Sequence, residues 1–272
     1  DVIVDDIVYL NQPFFQDGRV SRAVDEVAEN GTAFFSSAGN YADQSYHSEF
    51  RRSGDTLRTN VGWYLPHDFD PGPGTDTRQR FTLGAGEELR ISFQWDQPFA
   101  IGGSGGSQSD YDLIIVNDQD SVVAAGLTNN FGADPVELAS ITNRTDTTAT
   151  YELLLLKFLG NPAIPGDEGP DAEELRYVEF IGQARFEEYR SQGATVFGHA
   201  RAEGAEAVGA SFYLRTPAFS GQPPQLEPFS SVGAMPVLFG DRGRRLPEPI
   251  VRRKPEVIAP DGVNTTFFGF LI

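Results

Sequence analysis

The hydrophobic rhythm of this chain changes twice, and no other feature constrains its fold as much. Residues 1 to 47 read as strand, loop, helix and strand. Val2-Ile-Val4 is a short apolar run, and Asp17-Gly18 supplies turn chemistry. Val20, Ala23, Val24, Val27 and Ala28 then recur at helical spacing, with Arg22, Asp25 and Glu26 on the other side. Asn30-Gly31 gives the stop. Ala33-Phe-Phe-Ser-Ser37 follows as a buried-type strand and runs into Ala38-Gly39-Asn40. Strand, crossover helix and strand in so short a span form a βαβ unit, and such a unit requires a parallel pair.

From about residue 50 to 190 the period shortens to two. Leu89, Ile91 and Phe93 alternate with Arg90, Ser92 and Gln94, as one buried face requires. Further strands are expected at 79–83, 111–116, 121–125, 136–142 and 148–158, with loops at Gly102–Gly106 and Asn161–Gly166. Several short strands with turns between them predict an antiparallel sandwich. After about 192 apolar runs of the first kind return at Thr195-Val-Phe197, Ala205–Ala210 and Pro255–Ala259. The expected fold class is therefore α/β. Residues 1–47 and 193–272 form one parallel-sheet domain, interrupted at 50–190 by an inserted β-sandwich with its core at about 75–160.

Composition narrows the function. With 39 acidic and 21 basic residues the formal charge is −18, which repels phosphate and excludes a general nucleic-acid binder. No cysteine occurs, so disulfides, thiolate metal sites and cysteine nucleophiles are excluded. No apolar stretch reaches the length of a membrane span. The chain opens inside an apolar run and stops at Phe267-Phe-Gly-Phe-Leu-Ile272, so both ends read as cuts within a larger protein.

Separated segments, in order, carry a resemblance. Ala23-Val-Asp-Glu-Val-Ala-Glu-Asn-Gly31 with Phe34-Phe-Ser-Ser-Ala-Gly-Asn40 is the first. Gly193-Ala-Thr-Val-Phe-Gly-His-Ala200 with Ala207-Val-Gly-Ala210 comes next. Glu227-Pro-Phe-Ser-Ser-Val-Gly233 and Lys254-Pro-Glu-Val-Ile-Ala-Pro-Asp-Gly262 complete the set. Together they resemble the subtilisin-like serine peptidases (subtilases) over about half the chain. The resemblance implies a partial subtilisin-like α/β domain from a secreted or cell-surface bacterial endopeptidase that hydrolyses peptide bonds with a Ser/His/Asp triad. The family's aspartate, histidine and serine motifs are missing. His47, His67 and His199 all lie outside a histidine motif and read as structural or solvated. The chain alone is therefore expected to be inactive, and to self-associate through the face that the missing serine-bearing helix would cover.

The resemblance implies that Asn40 is the oxyanion-hole donor and that Asp6, Ile7, Val8, Ser37, Ala38 and Gly39 contribute to the substrate cleft. Two readings of Asp5 and Asp6 stay open: selection of basic substrate residues, or a solvated acidic turn. At 80–137 the insert resembles, more loosely, the bacterial pre-peptidase C-terminal domain, on Arg80-Phe-Thr-Leu83, Leu89–Trp95, Asp110-Tyr-Asp-Leu-Ile-Ile-Val-Asn117 and Gly132–Glu137. The alternative function is therefore a binding or adhesion module in which that sandwich is the working part, or a non-catalytic subtilase-like protein. No cofactor is expected. Asn117-Asp-Gln-Asp-Ser121, with Asp110 and Asp112 nearby, has the alternating oxygens of a calcium loop but not the glycine and distal glutamate of an EF-hand. A solvated hairpin turn is the better reading of it.

Overall fold

The computed structural model describes residues 1–60, 62–160 and 167–264, so the loop expected at 161–166 and the end of the chain lie outside the described residues. It is mostly β, with parallel and antiparallel sheets together. Four strands, Val2–Asp5, Ala33–Ser37, Ala205–Phe212 and Val257–Asp261, form a parallel sheet in chain order. The helix Arg19–Glu29 makes the first crossover. Its buried Val24 packs with Phe34, Ala202 and Ala205, which is why the apolar stripe of the helix and the first phenylalanine of the strand face each other. No side chain caps the N-terminus at Gly18, whereas Asn30 Nδ2 closes the other end by donating to the Glu26 carbonyl at 2.8 Å.

Two antiparallel sheets face each other beside this one. The first runs Val136–Thr142, Glu88–Trp95, Leu175–Gly182 and Ser45–Ser48. The second is built on the ten-residue strand Ala149–Phe158. One edge of that strand takes Gln79–Leu83 and then Trp63–Pro66, and the other takes Tyr111–Asn117. Phe81, Leu89, Ile91, Phe93 and Leu113 all lie fully buried between the sheets. The sheets reach beyond 75–160, because strands at 45–48, 57–58, 63–66, 175–182 and 185–186 belong to them.

Burial departs from the simple alternating picture in one place. Ser92 and Gln94 point away from the sandwich interior, yet both are buried. A second core of Phe14, Phe15, Tyr41, Val178, Phe197 and Met235 covers that outer face. Gln94 meets it with hydrogen bonds: Oε1 accepts from the Phe14 N–H at 2.8 Å and Nε2 donates to the Gln12 carbonyl at 2.9 Å. A buried amide is tolerable only when its groups are paired in this way. The segment leaving the parallel sheet and the one returning to it are neighbours, since His47 N–H donates to Ser191 Oγ and Gly193 N–H to Ser45 Oγ.

The run Thr195-Val-Phe197, expected as a strand, is not one. It makes a single bridge, Val196 to Ala234, and enters the short 3-10 helix Gly198–Arg201. Burial alone could not separate the two outcomes for so short an apolar run. Of the two roles open to His67, structural or solvated, the structure shows the first: it is fully buried just past the end of Trp63–Pro66.

Candidate active site at the end of the parallel sheet

The second parallel strand ends at Ser37, and the chain turns there through Ala38-Gly39-Asn40. Gly39 has φ +100°, and a Cβ at that point would lie 2.5 Å from the Tyr41 ring. Only glycine fits a left-handed residue packed so tightly. The turn is stitched to the segment 229–232: Ser231 N–H donates to the Gly39 carbonyl at 2.9 Å, Tyr41 N–H to Ser231 Oγ at 3.1 Å and Ala42 N–H to the Phe229 carbonyl at 2.9 Å. Thr195 Oγ1 adds a close hydrogen bond to the Ala42 carbonyl. Two of the segments singled out in the sequence, A-G-N and F-S-S-x-G, are thus held together by backbone hydrogen bonds.

Asn40 is exposed at the tip of this turn, and its side-chain amide has no partner among the described residues. A cavity of about 270 Å³ opens beside it. Asp6, Ile7, Val8, Ser37, Ala38, Gly39 and Asn40 all line that cavity. The remaining wall comes from residues the sequence did not nominate, chiefly Tyr9, Tyr41, Phe180, Phe197 and His199. A second cavity of about 270 Å³ is lined by residues of all four parallel strands, among them Val4, Phe35, Val208 and Ala259, and Asn40 borders both cavities. Crevices at the carboxyl ends of parallel strands are where open α/β sheets hold ligands.

Under the first cavity runs a chain of buried polar groups. Gln12 Nε2 donates to His199 Nδ1 at 2.8 Å, and Gln12 Oε1 accepts from the His199 N–H at 2.6 Å. With Nδ1 accepting, the ring proton sits on Nε2, which reaches Asp5 Oδ2 at 3.1 Å. Ser36 Oγ donates to Asp5 Oδ1 at 2.6 Å. Asp5, the last residue of its strand, is therefore turned inward and occupied, while Asp6, just past the strand end, lines the cavity. Gln12 and His199 are 187 residues apart in sequence, so no local pattern could pair them. The nearest sequence hint is the glycine at 198: at its φ of +60° an added Cβ would lie 2.1 Å from Gln12 Oε1, so only glycine fits beside that amide.

No group of three or more His, Cys, Asp or Glu side chains among the described residues is arranged to hold a metal. At Asn117–Ser121 the alternating oxygens serve a hairpin turn, where Asn117 Oδ1 accepts from the backbone N–H of Gln119 and of Ser121, each at 3.0 Å. Asp120 pairs with Arg78 at 2.5 Å.

No protein-family model matches the chain, and no curated protein matches it. Among solved structures, it matches an arabinose-bound MgGH51 α-L-arabinofuranosidase at 10% identity, covering 70% of this chain and 32% of that one, with a TM-score of 0.20. A likeness at that level bears on neither fold nor function.

Proposed function

We propose that this chain is an internal part of a subtilisin-like serine endopeptidase. In this reading it supplies the oxyanion donor and cleft walls to a Ser/His/Asp centre whose three residues lie elsewhere in the polypeptide. One observation carries the reading: the unpartnered amide of Asn40, placed at the carboxyl end of the second of four sequential parallel strands, beside a cavity edged by residues 6–9. In acyl transfer the attacked carbonyl oxygen becomes an oxyanion, and a donor already held in place stabilises that charge more than the ground state. Gly39 and the 229–232 segment hold the backbone on either side of Asn40, and its side-chain amide, paired with no described residue, is left available to donate to the developing charge. The exposed edge of Val2–Asp5 and the lip at 6–9 suit an extended polypeptide substrate. The β-sandwich is an insertion in the peptidase fold, and a secreted or cell-surface setting goes with the family.

The test is to express the chain with the sequence that flanks it in its gene and assay casein hydrolysis. Activity sensitive to a serine-directed inhibitor is expected there, and none from residues 1–272 alone. Flanking sequence without D-S-G or D-T-G, H-G-T-H and G-T-S motifs, or a full-length protein inert towards every peptide, would sink the reading. The isolated chain is further proposed to pair with a second copy of itself.

A further inference from the structure

The cavity beside Asn40 has an uneven chemistry. Ala38, Tyr41 and Phe197 form a buried apolar floor, and Ile7, Val8 and Tyr9 form an exposed apolar lip. One carboxylate, that of Asp6, stands among them with no ion pair or hydrogen bond to any described residue. No lysine or arginine lines the space, and His199, which does, already spends its ring nitrogens on Gln12 and Asp5. Tyr41 senses Asp6: burial first, and then that negative charge, push its hydroxyl up to about 12. Asp5 is a different case, because Ser36 and His199 satisfy it.

From this we infer that the cavity receives the side chain of a lysine or arginine, with the Asp6 carboxylate as its counter-charge. The occupant being part of a peptide substrate rests on the peptidase reading; the cationic chemistry does not. A long basic side chain lays its methylene stem on apolar walls and keeps its charged end at the mouth, which is where Asp6 stands. An acidic side chain would meet Asp6 inside a molecule of charge −18. A purely apolar one would strip water from the carboxylate and give nothing back, a cost that discriminates strongly.

The experiment uses the purified chain and two isosteric probes, p-aminobenzamidine and neutral p-aminobenzamide, titrated by calorimetry. The amidine should bind at least about tenfold more tightly, equivalent to about 1.4 kcal/mol, and Asp6→Asn should abolish that preference. Equal affinities, no amidine binding, or a preference that survives Asp6→Asn would overturn the inference. The comparison of probes on the unmodified chain holds even where Asp6→Asn fails to fold. If the amidine binds through Asp6 but the full-length protein hydrolyses no peptide, the peptidase reading alone fails. If the full-length protein is active while the two probes bind alike, the cation site alone fails.

Discussion

Asn40 has no backbone reason to be asparagine. The left-handed residue of its turn is Gly39, at φ +100°, and Asn40 itself is not in the left-handed region. Its side chain holds nothing together among the described residues. Asn40→Ala should therefore change stability by no more than about 0.5 kcal/mol, as for other surface sites. On the proposed peptidase reading, the same change in the full-length protein should lower kcat by roughly 10²–10³, about 2.7–4 kcal/mol. That range is the one known for subtilisin's own oxyanion asparagine and is borrowed as a scale. Steady-state kinetics beside a thermal melt separate the two effects; an unchanged kcat would mean the donor is elsewhere. His67 shows the opposite situation. It accepts the Arg51 N–H on Nδ1 at 3.1 Å, so Nε2 carries the proton to Tyr46 Oη at 2.7 Å. Burial and the Arg51 charge push its pKa down to about 3. The folded chain thus binds fewer protons than the unfolded one between about 6.5 and 3, so the stability from a neutral His67 is lost as pH falls through that window. Urea melts from pH 7 to 4 should show a steep acid loss in the native chain and a shallower one in His67→Gln. Equal slopes would mean that His67 is not held neutral.

At the scale of elements, the ends of strands 111–117 and 136–142 bring carboxyl groups together. Glu137 is 2% exposed and Asp112 4%. Burial, with the charge of Asp110 beside Asp112 and the charges of Asp112 and then Asp110 beside Glu137, raises Asp112 to about 7 and Glu137 to about 8. These are acids whose folded pKa exceeds the unfolded value. The stability they carry is present below about 4 and is lost as pH rises towards 8. Glu137→Gln keeps an acceptor for the Thr128 N–H and removes one charge. It should raise the melting temperature at pH 9 and flatten its fall between pH 5 and 9; a variant less stable than the native chain at pH 9 would refute the account. The same elements show what could be read beforehand. Glu88–Trp95 was legible because one face is uniformly apolar, and the βαβ unit because its helix has a single stripe. Leu175–Gly182 was not, although it is central in its sheet. Its Tyr177 enters the sandwich and its Val178 enters the second core, and a bulge between Glu179 and Ile181 breaks the period. A strand buried on both faces carries no alternation. Of the site, the local turn at 37–40 was visible. The wall from Phe180, Phe197 and His199 was not, since it is assembled from segments more than a hundred residues away.

Across the whole molecule, the edge strand Val2–Asp5 is the surface that most needs an explanation. It pairs with Ala33–Ser37 on one side and with no described strand on the other. Val2 is 65% exposed and Val4 73%, and Ile7 and Val8 continue the apolar strip. Exposed apolar edges with free N–H and C=O groups are templates for another strand. An edge that meets its own copy antiparallel generates a two-fold axis, the commonest symmetry of small oligomers. The charge of −18 opposes such pairing, and salt screens the repulsion within about 10 Å at 0.1 M. The isolated chain should therefore dimerise in a concentration-dependent way, more strongly at 0.5 M salt than at 0.05 M. Because the residues concerned are already in water, Val2→Lys with Val4→Lys should yield a folded monomer. Light scattering at tens of micromolar reads this directly. A 29.7 kDa species at every salt concentration, or a dimer untouched by the double lysine variant, would show that this edge is not where two copies meet.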